Sequence, residues 1–165
     1  MQDLGTSLNR IIVTLGGTDT YGVTLKVVAW LNCEGRKATV ILGPGFSHKE
    51  ELENSLGPNI ELKENVPSLV QEFYDYDLAI IGAGITAFEA AAAGLPTITI
   101  ANEEFEIGNA EYLQELGCTI FAGHHNDINF DCFNTDIALA KMSQAGLDNV
   151  TTKGAELVSH ELLKL

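Results

Sequence analysis

The sequence alternates six short strand-like runs with segments of helical periodicity. Most of the runs are apolar and rich in β-branched residues, which is typical of strands buried on both faces of a sheet. The six runs are Arg10–Gly16, Ala38–Gly43, Asn59–Glu64, Asp77–Gly82, Thr97–Ala101 and Cys118–Ala122. This alternation predicts an α/β fold: a doubly wound, Rossmann-like, six-stranded parallel sheet with helices on both sides.

The segments between the runs carry helix signals. Ser47-His48-Lys49-Glu50 has the S-x-x-E form of a capping box and predicts a helix that ends near Gly57. The tail from Asn134 onward predicts two helices with a break at Gly146. The other predicted helices are Thr20–Glu34, a short one through Leu69–Phe73, Thr86–Ala93 and Asn109–Leu116. Since no linker-like or repetitive tract separates them, we expect residues 1–165 to form a single domain.

Composition excludes several classes of partner. With 23 acidic against 9 basic residues the formal charge is −14, which disfavours nucleic acid and anionic membrane surfaces as partners. The 3 cysteines have no C-x-x-C spacing, so they indicate free thiols in a cytoplasmic protein rather than a metal or redox motif. Residues 1–9 show no secretory signal pattern. The apolar stretch from Leu78 to Ala101 is interrupted by Glu89 and by Gly94-Leu95-Pro96, so we expect no transmembrane segment.

The charge is also unevenly distributed. Between Lys63 and Lys141 there is no lysine or arginine, although acidic residues are frequent in this stretch. Any anionic ligand bound there would have to be held by backbone N–H groups and helix ends.

Two glycine-rich loops follow predicted strands. They are Gly16-Gly17-Thr18-Asp19 after the first strand and the loop from Gly82 to Thr86 after the fourth. In the strand order 3-2-1-4-5-6 these strands are neighbours at the switch point, where such sheets bind ligands. Each loop alone is equally consistent with a tight turn, but the pair favours a phosphate-bearing ligand. Neither has the G-x-G-x-x-G or G-K-[ST] form, which disfavours an NAD-binding domain and a Walker site.

Other polar residues have two interpretations or a plain structural one. Glu89 either closes a capping box begun by Thr86 or accepts hydrogen bonds from the sugar hydroxyls of a ligand on the same helix end. We expect His124 and His125 to lie in a solvated loop. The sequence identifies no catalytic nucleophile, general base or metal site, and we expect no cofactor.

The run from Asp77 to Pro96, DLAIIGAGITAFEAAAAGLP, resembles the nucleotide-sugar signature of GT-B glycosyltransferases. Asn109 to Gly117 resembles the NA-x-x-L-x-x-x-G of the MurG-like N-acetylglucosaminyltransferases. The opening at residues 11–19, IIVTLGGTD, and Gly154-Ala155 followed by Val158 are similar to the PseG/SpsG-like proteins of flagellin and spore-coat polysaccharide biosynthesis. The resemblance extends in order over nearly the whole chain.

The resemblance implies a C-terminal, donor-binding GT-B half that holds a UDP- or CMP-type nucleotide sugar. It assigns the pyrophosphate to Gly16, Gly17 and Thr18 and to Gly84, Ile85 and Thr86, the ribose hydroxyls to Glu89, and the base to the backbone of Asn65 and Val66. Where these families place an amide that contacts the sugar, this chain has Glu106. A carboxylate about 4 Å from a pyrophosphate adds about 4 kcal/mol of repulsion before screening, at an effective dielectric of about 20.

The resemblance also implies a missing half. In GT-B proteins an N-terminal domain or a separate subunit provides the acceptor site and the catalytic base, so we expect this chain to need such a partner for transfer or hydrolysis. The alternative is a non-catalytic interaction domain that retains the fold and has lost the ligand.

Overall fold

The computed structural model describes residues 10–134 and 137–164. The expectation made on residues 1–9 lies outside this range. The described residues form six strands: β1 Ile11–Thr14, β2 Ala38–Leu42, β3 Ile60–Glu64, β4 Leu78–Gly82, β5 Thr97–Ala101 and β6 Thr119–His124. The helices are α1 Val23–Cys33, α2 Lys49–Ser55, α3 Leu69–Glu72, α4 Ile85–Ala92, α5 Glu104–Glu115, α6 Leu139–Asn149 and α7 Gly154–Leu162, with short 3₁₀ turns at Phe73–Asp75 and Phe130–Asn134.

All strand pairs are parallel, and the strand order is β3-β2-β1-β4-β5-β6. The predicted fold and the neighbouring placement of β1 and β4 are therefore confirmed. The four central strands β1, β2, β4 and β5 are buried along their whole length. Their side chains are apolar on both faces of the sheet because helices cover both faces.

Two main apolar clusters lie on opposite faces of the sheet. Alternate residues of β1 show the division, since Ile11 and Val13 belong to the cluster that includes α1, whereas Ile12 belongs to the cluster that includes α4 and α5. Successive side chains of a strand point to opposite faces, so one strand contributes to both clusters.

Three predicted helix features are wrong. Helix α5 begins at Glu104 rather than near Asn109, because the Glu106 carboxylate accepts backbone N–H groups just before the helix and so extends it. Helix α6 continues through Gly146, which allows close packing: a Cβ there would collide with the Ala91 carbonyl oxygen of α4. The Ser47 capping box is not formed, and His48 occupies the N-cap position of α2 without a side-chain hydrogen bond.

In the described part of the chain, no helix is long and apolar enough to cross a membrane.

Candidate functional site

A cavity of about 560 Å³ lies at the carboxyl ends of β1, β2 and β3. Its wall combines apolar side chains with backbone from several loops. Strand ends and the loops after them contribute Gly16 and Gly17 after β1, Ile41, Leu42 and Phe46 at β2 and after it, and Glu64, Asn65 and Val66 at the end of β3. The helices contribute Lys49 of α2, Leu69 of α3 and Thr86 of α4. Ligands of open parallel sheets bind at this edge, next to the switch point between β1 and β4.

The glycine loop after β1 is held by contacts within the chain. Gly16 has φ +93°, a conformation that favours glycine, and the Gly17 carbonyl accepts a 2.8 Å hydrogen bond from the Gly45 N–H. The Asp19 carboxylate is buried and accepts from the N–H groups of Val23 at 2.8 Å and Thr24 at 2.7 Å. These are the first two residues of α1, so this helix end already binds a negative charge from its own chain.

The glycine loop after β4 leads into α4, whose N-terminus differs from that of α1. Gly84 is the N-cap residue of α4 and has φ −81°, and among the residues that the structure describes no side chain caps this helix. The first N–H groups of a helix have no acceptor within it, and together with the helix dipole they favour an anion. The start of α4, at Gly84, Ile85 and Thr86, is therefore open to an external acceptor in a way that the start of α1 is not.

Glu106 lies against this open end. Its Oε2 accepts from the N–H groups of Asn102 at 2.8 Å and Glu103 at 3.4 Å, and its Oε1 is 3.0 Å from the position that a Cβ would take at Gly84. The sequence placed Glu106 before the last helix of the motif, and the structure places it in the first turn of α5, where it caps the helix. Its carboxylate thus brings a negative charge next to α4.

Glu89 lies apart from the main cavity. The predicted capping box with Thr86 is wrong, because α4 begins at Ile85 with Gly84 as N-cap, so Thr86 is already inside the helix. Glu89 is exposed and lines a separate groove of about 320 Å³, together with Tyr74, Phe88 and Val150.

Asn65 and Val66, to which the resemblance assigns the base, line the cavity. Asn65 adopts φ +55°, which turns the chain sharply after β3, and Val66 faces the apolar wall of the cavity. Lys49 pairs with Glu64 at 2.7 Å and is the only lysine or arginine that lines this cavity among the described residues. The ion pair raises the pKa of Lys49, which keeps it charged. Thr18 is exposed outside the cavity, with its hydroxyl 3.3 Å from that of Thr20.

The sequence missed a polar cluster beside the two loops. Tyr21 donates a 3.1 Å hydrogen bond to Glu103, and its ring stacks on that of His125 with centroids 3.7 Å apart and an interplanar angle of 11°. The hydrogen bond and the negative charge of Glu103 raise the pKa of Tyr21. His125 is only 8% exposed, and His124 is the last residue of β6, so the expected solvated loop is wrong. The position of this pair at the end of a strand-like run was the available signal.

The described residues contain no group of three side chains able to hold a metal ion. Cys33 and Cys118 are free thiols, the first exposed and the second buried. Burial raises the pKa of the Cys118 thiol, so neither its charge state nor its access suits it to act as a nucleophile.

Two curated proteins show sequence similarity to this chain. An uncharacterized protein of Methanocaldococcus jannaschii is 28% identical over 140 residues, which is 80% of this chain and 29% of that protein. The spore coat polysaccharide biosynthesis protein SpsG of Bacillus subtilis is 23% identical over 120 residues, covering 69% of this chain and 35% of SpsG. No protein-family profile matches the sequence.

Solved structures match over nearly the whole chain. MurG of Acinetobacter baumannii has a TM-score of 0.76 at 16% identity, with 97% of this chain and 51% of MurG covered. The spinosyn rhamnosyltransferase SpnG has a TM-score of 0.66 at 23% identity over 87% of this chain and 40% of SpnG, and the glycosyltransferase SnogD of Streptomyces nogalater has 0.61 at 18% over 97% and 46%. The chain spans about half the length of these glycosyltransferases and about a third of its curated relatives. It therefore has the fold of one half of a GT-B glycosyltransferase.

Proposed function

We propose that this chain binds the nucleotide of a UDP- or CMP-type nucleotide sugar and serves as the donor-binding half of a glycosyltransferase or nucleotide-sugar hydrolase. The observation that carries the proposal is the cavity at the carboxyl edge, which joins backbone of the first glycine loop, the Asn65-Val66 turn and Thr86 of α4 in one space. Such a cavity suits a planar base with its phosphates directed toward a helix N-terminus.

Each part of the cavity has a role in this proposal. The base lies between Phe46, Val66 and Leu69, where apolar walls meet backbone polar groups. The pyrophosphate contacts the N–H groups of the Gly16-Gly17-Thr18 turn and of Gly84, Ile85 and Thr86. In this proposal the ribose extends beyond the cavity toward Glu89, one turn further along α4, which accepts from its hydroxyls.

Catalysis requires a second domain or subunit in this proposal. The chain matches only about half of each glycosyltransferase to which it is similar, and the described residues around the cavity offer no histidine or cysteine as a base or nucleophile. We place the protein in the cytoplasm because its 3 cysteines, an odd number with long spacings, do not indicate a disulfide framework.

Isothermal titration calorimetry of the 165-residue chain with UDP, CMP and their sugar conjugates, up to millimolar ligand, tests the proposal. We expect saturable binding of at least one nucleotide, weakened by Thr86→Val, which removes the hydroxyl, and by Glu89→Ala. Glu111→Ala removes an exposed acid of α5 and is the matched control for charge. Absence of binding by every nucleotide would refute the proposal.

A non-catalytic interaction domain is the second candidate. Helix α7 favours it, because none of its residues is buried and Leu157, Val158 and Leu162 are each more than half exposed. Under this alternative Glu89→Ala changes neither nucleotide nor partner binding, and at most it lowers helix stability.

A further inference from the structure

We propose that Tyr21 and Glu103 form the subsite for the sugar of the bound nucleotide sugar, that His125 positions Tyr21, and that the subsite accepts uncharged sugars and rejects those that carry a carboxylate. This inference rests on the proposed nucleotide binding and names the class of sugar. None of the three residues belongs to the site expected from the sequence.

The cluster joins three separate segments at the carboxyl edge. Tyr21 comes from the loop after β1, Glu103 is the N-cap residue of α5, and His125 follows β6. The phenol oxygen of Tyr21 is 3.1 Å from Oε1 of Glu103, although the two residues are 82 positions apart in the chain. Tyr21 remains 40% exposed.

The cluster adjoins the proposed pyrophosphate site. Glu103 donates its backbone N–H to Glu106, and the other carboxylate oxygen of Glu106 lies against Gly84 at the start of α4. A sugar linked to a pyrophosphate at α4 would therefore meet Glu103 and Tyr21 next.

The stack of Tyr21 on His125 fixes the subsite. His125 is anchored on both sides of its peptide: its N–H donates to the Ala101 carbonyl at 2.8 Å, and its carbonyl accepts from Nζ of Lys26 at 2.8 Å. Its ring, nearly parallel to that of Tyr21, limits the side chain to one orientation.

A second, independent observation marks this cluster as a binding place. His125 is more than nine-tenths buried, yet its Nδ1 has no hydrogen-bond partner among the described residues. A buried polar atom without a partner is costly, and a polar group of a ligand at the edge of the stack would offset that cost.

The chemistry of the cluster selects the ligand. The Tyr21 hydroxyl uses its proton on Glu103, so both side chains present lone pairs, and the ligand has to supply donors such as sugar hydroxyls. Glu103 and Glu106 make the local charge negative, and the nearby Lys26 is bound to the His125 carbonyl. A carboxylate on the sugar would meet two like charges, those of Glu103 and Glu106, against the single ammonium of Lys26.

The test compares ligands that differ only at the sugar. Calorimetry is performed with UDP, UDP-glucose and UDP-glucuronate, and with CMP and CMP-N-acetylneuraminate. We expect UDP-glucose to bind about threefold or more tighter than UDP, as one or two added hydrogen bonds would give. UDP-glucuronate should bind weaker than UDP-glucose by about threefold or more, and CMP-N-acetylneuraminate no tighter than CMP.

Variants separate the subsite from the fold. Tyr21→Phe keeps the stacked ring and should abolish the gain of UDP-glucose over UDP, while Tyr112→Phe, an exposed tyrosine of α5, is the matched control. His125→Ala should lose the same gain, and His125→Phe, which restores a ring beneath Tyr21 but not the Nδ1 atom, should recover part of it. Such recovery would not follow from a loss of stability alone.

The outcomes distinguish the two proposals. If no nucleotide binds, the proposed function fails and the subsite with it. If UDP binds but UDP-glucose binds no tighter, or a carboxylated sugar improves binding, the subsite is refuted while nucleotide binding stands. A gain that survives Tyr21→Phe also refutes it.

Discussion

The two glycine loops look alike in sequence, but the helices that follow them are capped differently. After β1, the buried Asp19 carboxylate accepts the first two N–H groups of α1. After β4, none of the described side chains caps α4, and Gly84 leaves its first turn open. A glycine turn before a helix therefore becomes an anion site only where the chain does not supply its own anion.

The glycines of the two loops also differ in the residues that they contact. Gly17 binds the loop after β2 through its carbonyl, so the first loop connects segments of the domain. Gly84 faces only Glu106, a carboxylate held by α5. We infer that the backbone of the first loop shapes the cavity and offers N–H groups to the pyrophosphate, whereas the open helix end after β4 contributes more to binding its charge.

Removal of the Asp19 carboxylate should have the largest effect of the four changes considered. Asp19→Ala leaves two buried N–H groups without their acceptor and places alanine at φ +42°, so we expect a loss of about 2–3 kcal/mol in the free energy of unfolding. Urea denaturation followed by the fluorescence of Trp30, the single tryptophan and a residue of α1, measures it directly.

Asp19→Asn is the control for this experiment. Asparagine tolerates a positive φ and keeps one acceptor, so about half of the loss should return. Equal stability of Asp19→Ala and the wild type would show that the cap is not needed, and the contrast between the two helix ends would lose its basis.

The matched pair Gly84→Ala and Gly17→Ala tests the other side of the contrast. Gly84 has φ −81°, which alanine adopts, but its new methyl group would lie 3.0 Å from Glu106 and over the open end of α4. We expect UDP affinity to fall about tenfold, equivalent to about 1.4 kcal/mol. At Gly17 an added Cβ meets nothing within 4 Å, so its effect should stay within about twofold. Equal losses in calorimetry would mean that the loops do not differ in ligand contact.

Much of the fold was predictable because local signals and burial agree. Strands such as Ala38–Leu42 and Thr97–Ala101 consist of apolar residues and β-branched threonines, and that pattern is typical of a sheet covered on both faces. The predicted helix boundaries were wrong where a contact with another element determines where the helix begins or ends. Gly146 reads as a helix breaker, yet the close approach of α4 makes glycine necessary there.

The site was less predictable, because its charges depend on long-range contacts. Asp19 appeared in the sequence only as part of a glycine loop, and its capping role follows from a turn at positive φ. Tyr21, Glu103 and His125 come from three segments, and neither spacing nor propensity reveals that they meet. The sequence did identify Glu106 as unusual, although it could not show that the carboxylate is held by backbone N–H groups.

Glu106→Gln changes the charge beside the open helix end and keeps an acceptor for the Asn102 N–H. Since a pyrophosphate would no longer meet a carboxylate there, UDP should bind about threefold to tenfold tighter at low salt, with a smaller gain at high salt. Glu104→Gln, an exposed acid in the same helical turn, controls for net charge and should change affinity less than about twofold. Unchanged affinity in Glu106→Gln would mean that this carboxylate lies too far from the bound phosphates to matter.

The smallest expected effect concerns the hydrogen bond between Tyr21, which follows the first glycine loop, and Glu103 at the start of α5. The hydrogen bond to Glu103 raises the pKa of Tyr21, because the neutral phenol donates and the phenolate would be repelled. This bond is therefore complete below the ordinary pKa of tyrosine, about 10, and is lost only as pH rises through the raised value. An ultraviolet titration of the 4 tyrosines should show one that ionises later than in Glu103→Gln, and Tyr21→Phe should remove that same late step. If the late step persisted in Tyr21→Phe, it would belong to another tyrosine, and the first loop would be free of α5 in solution.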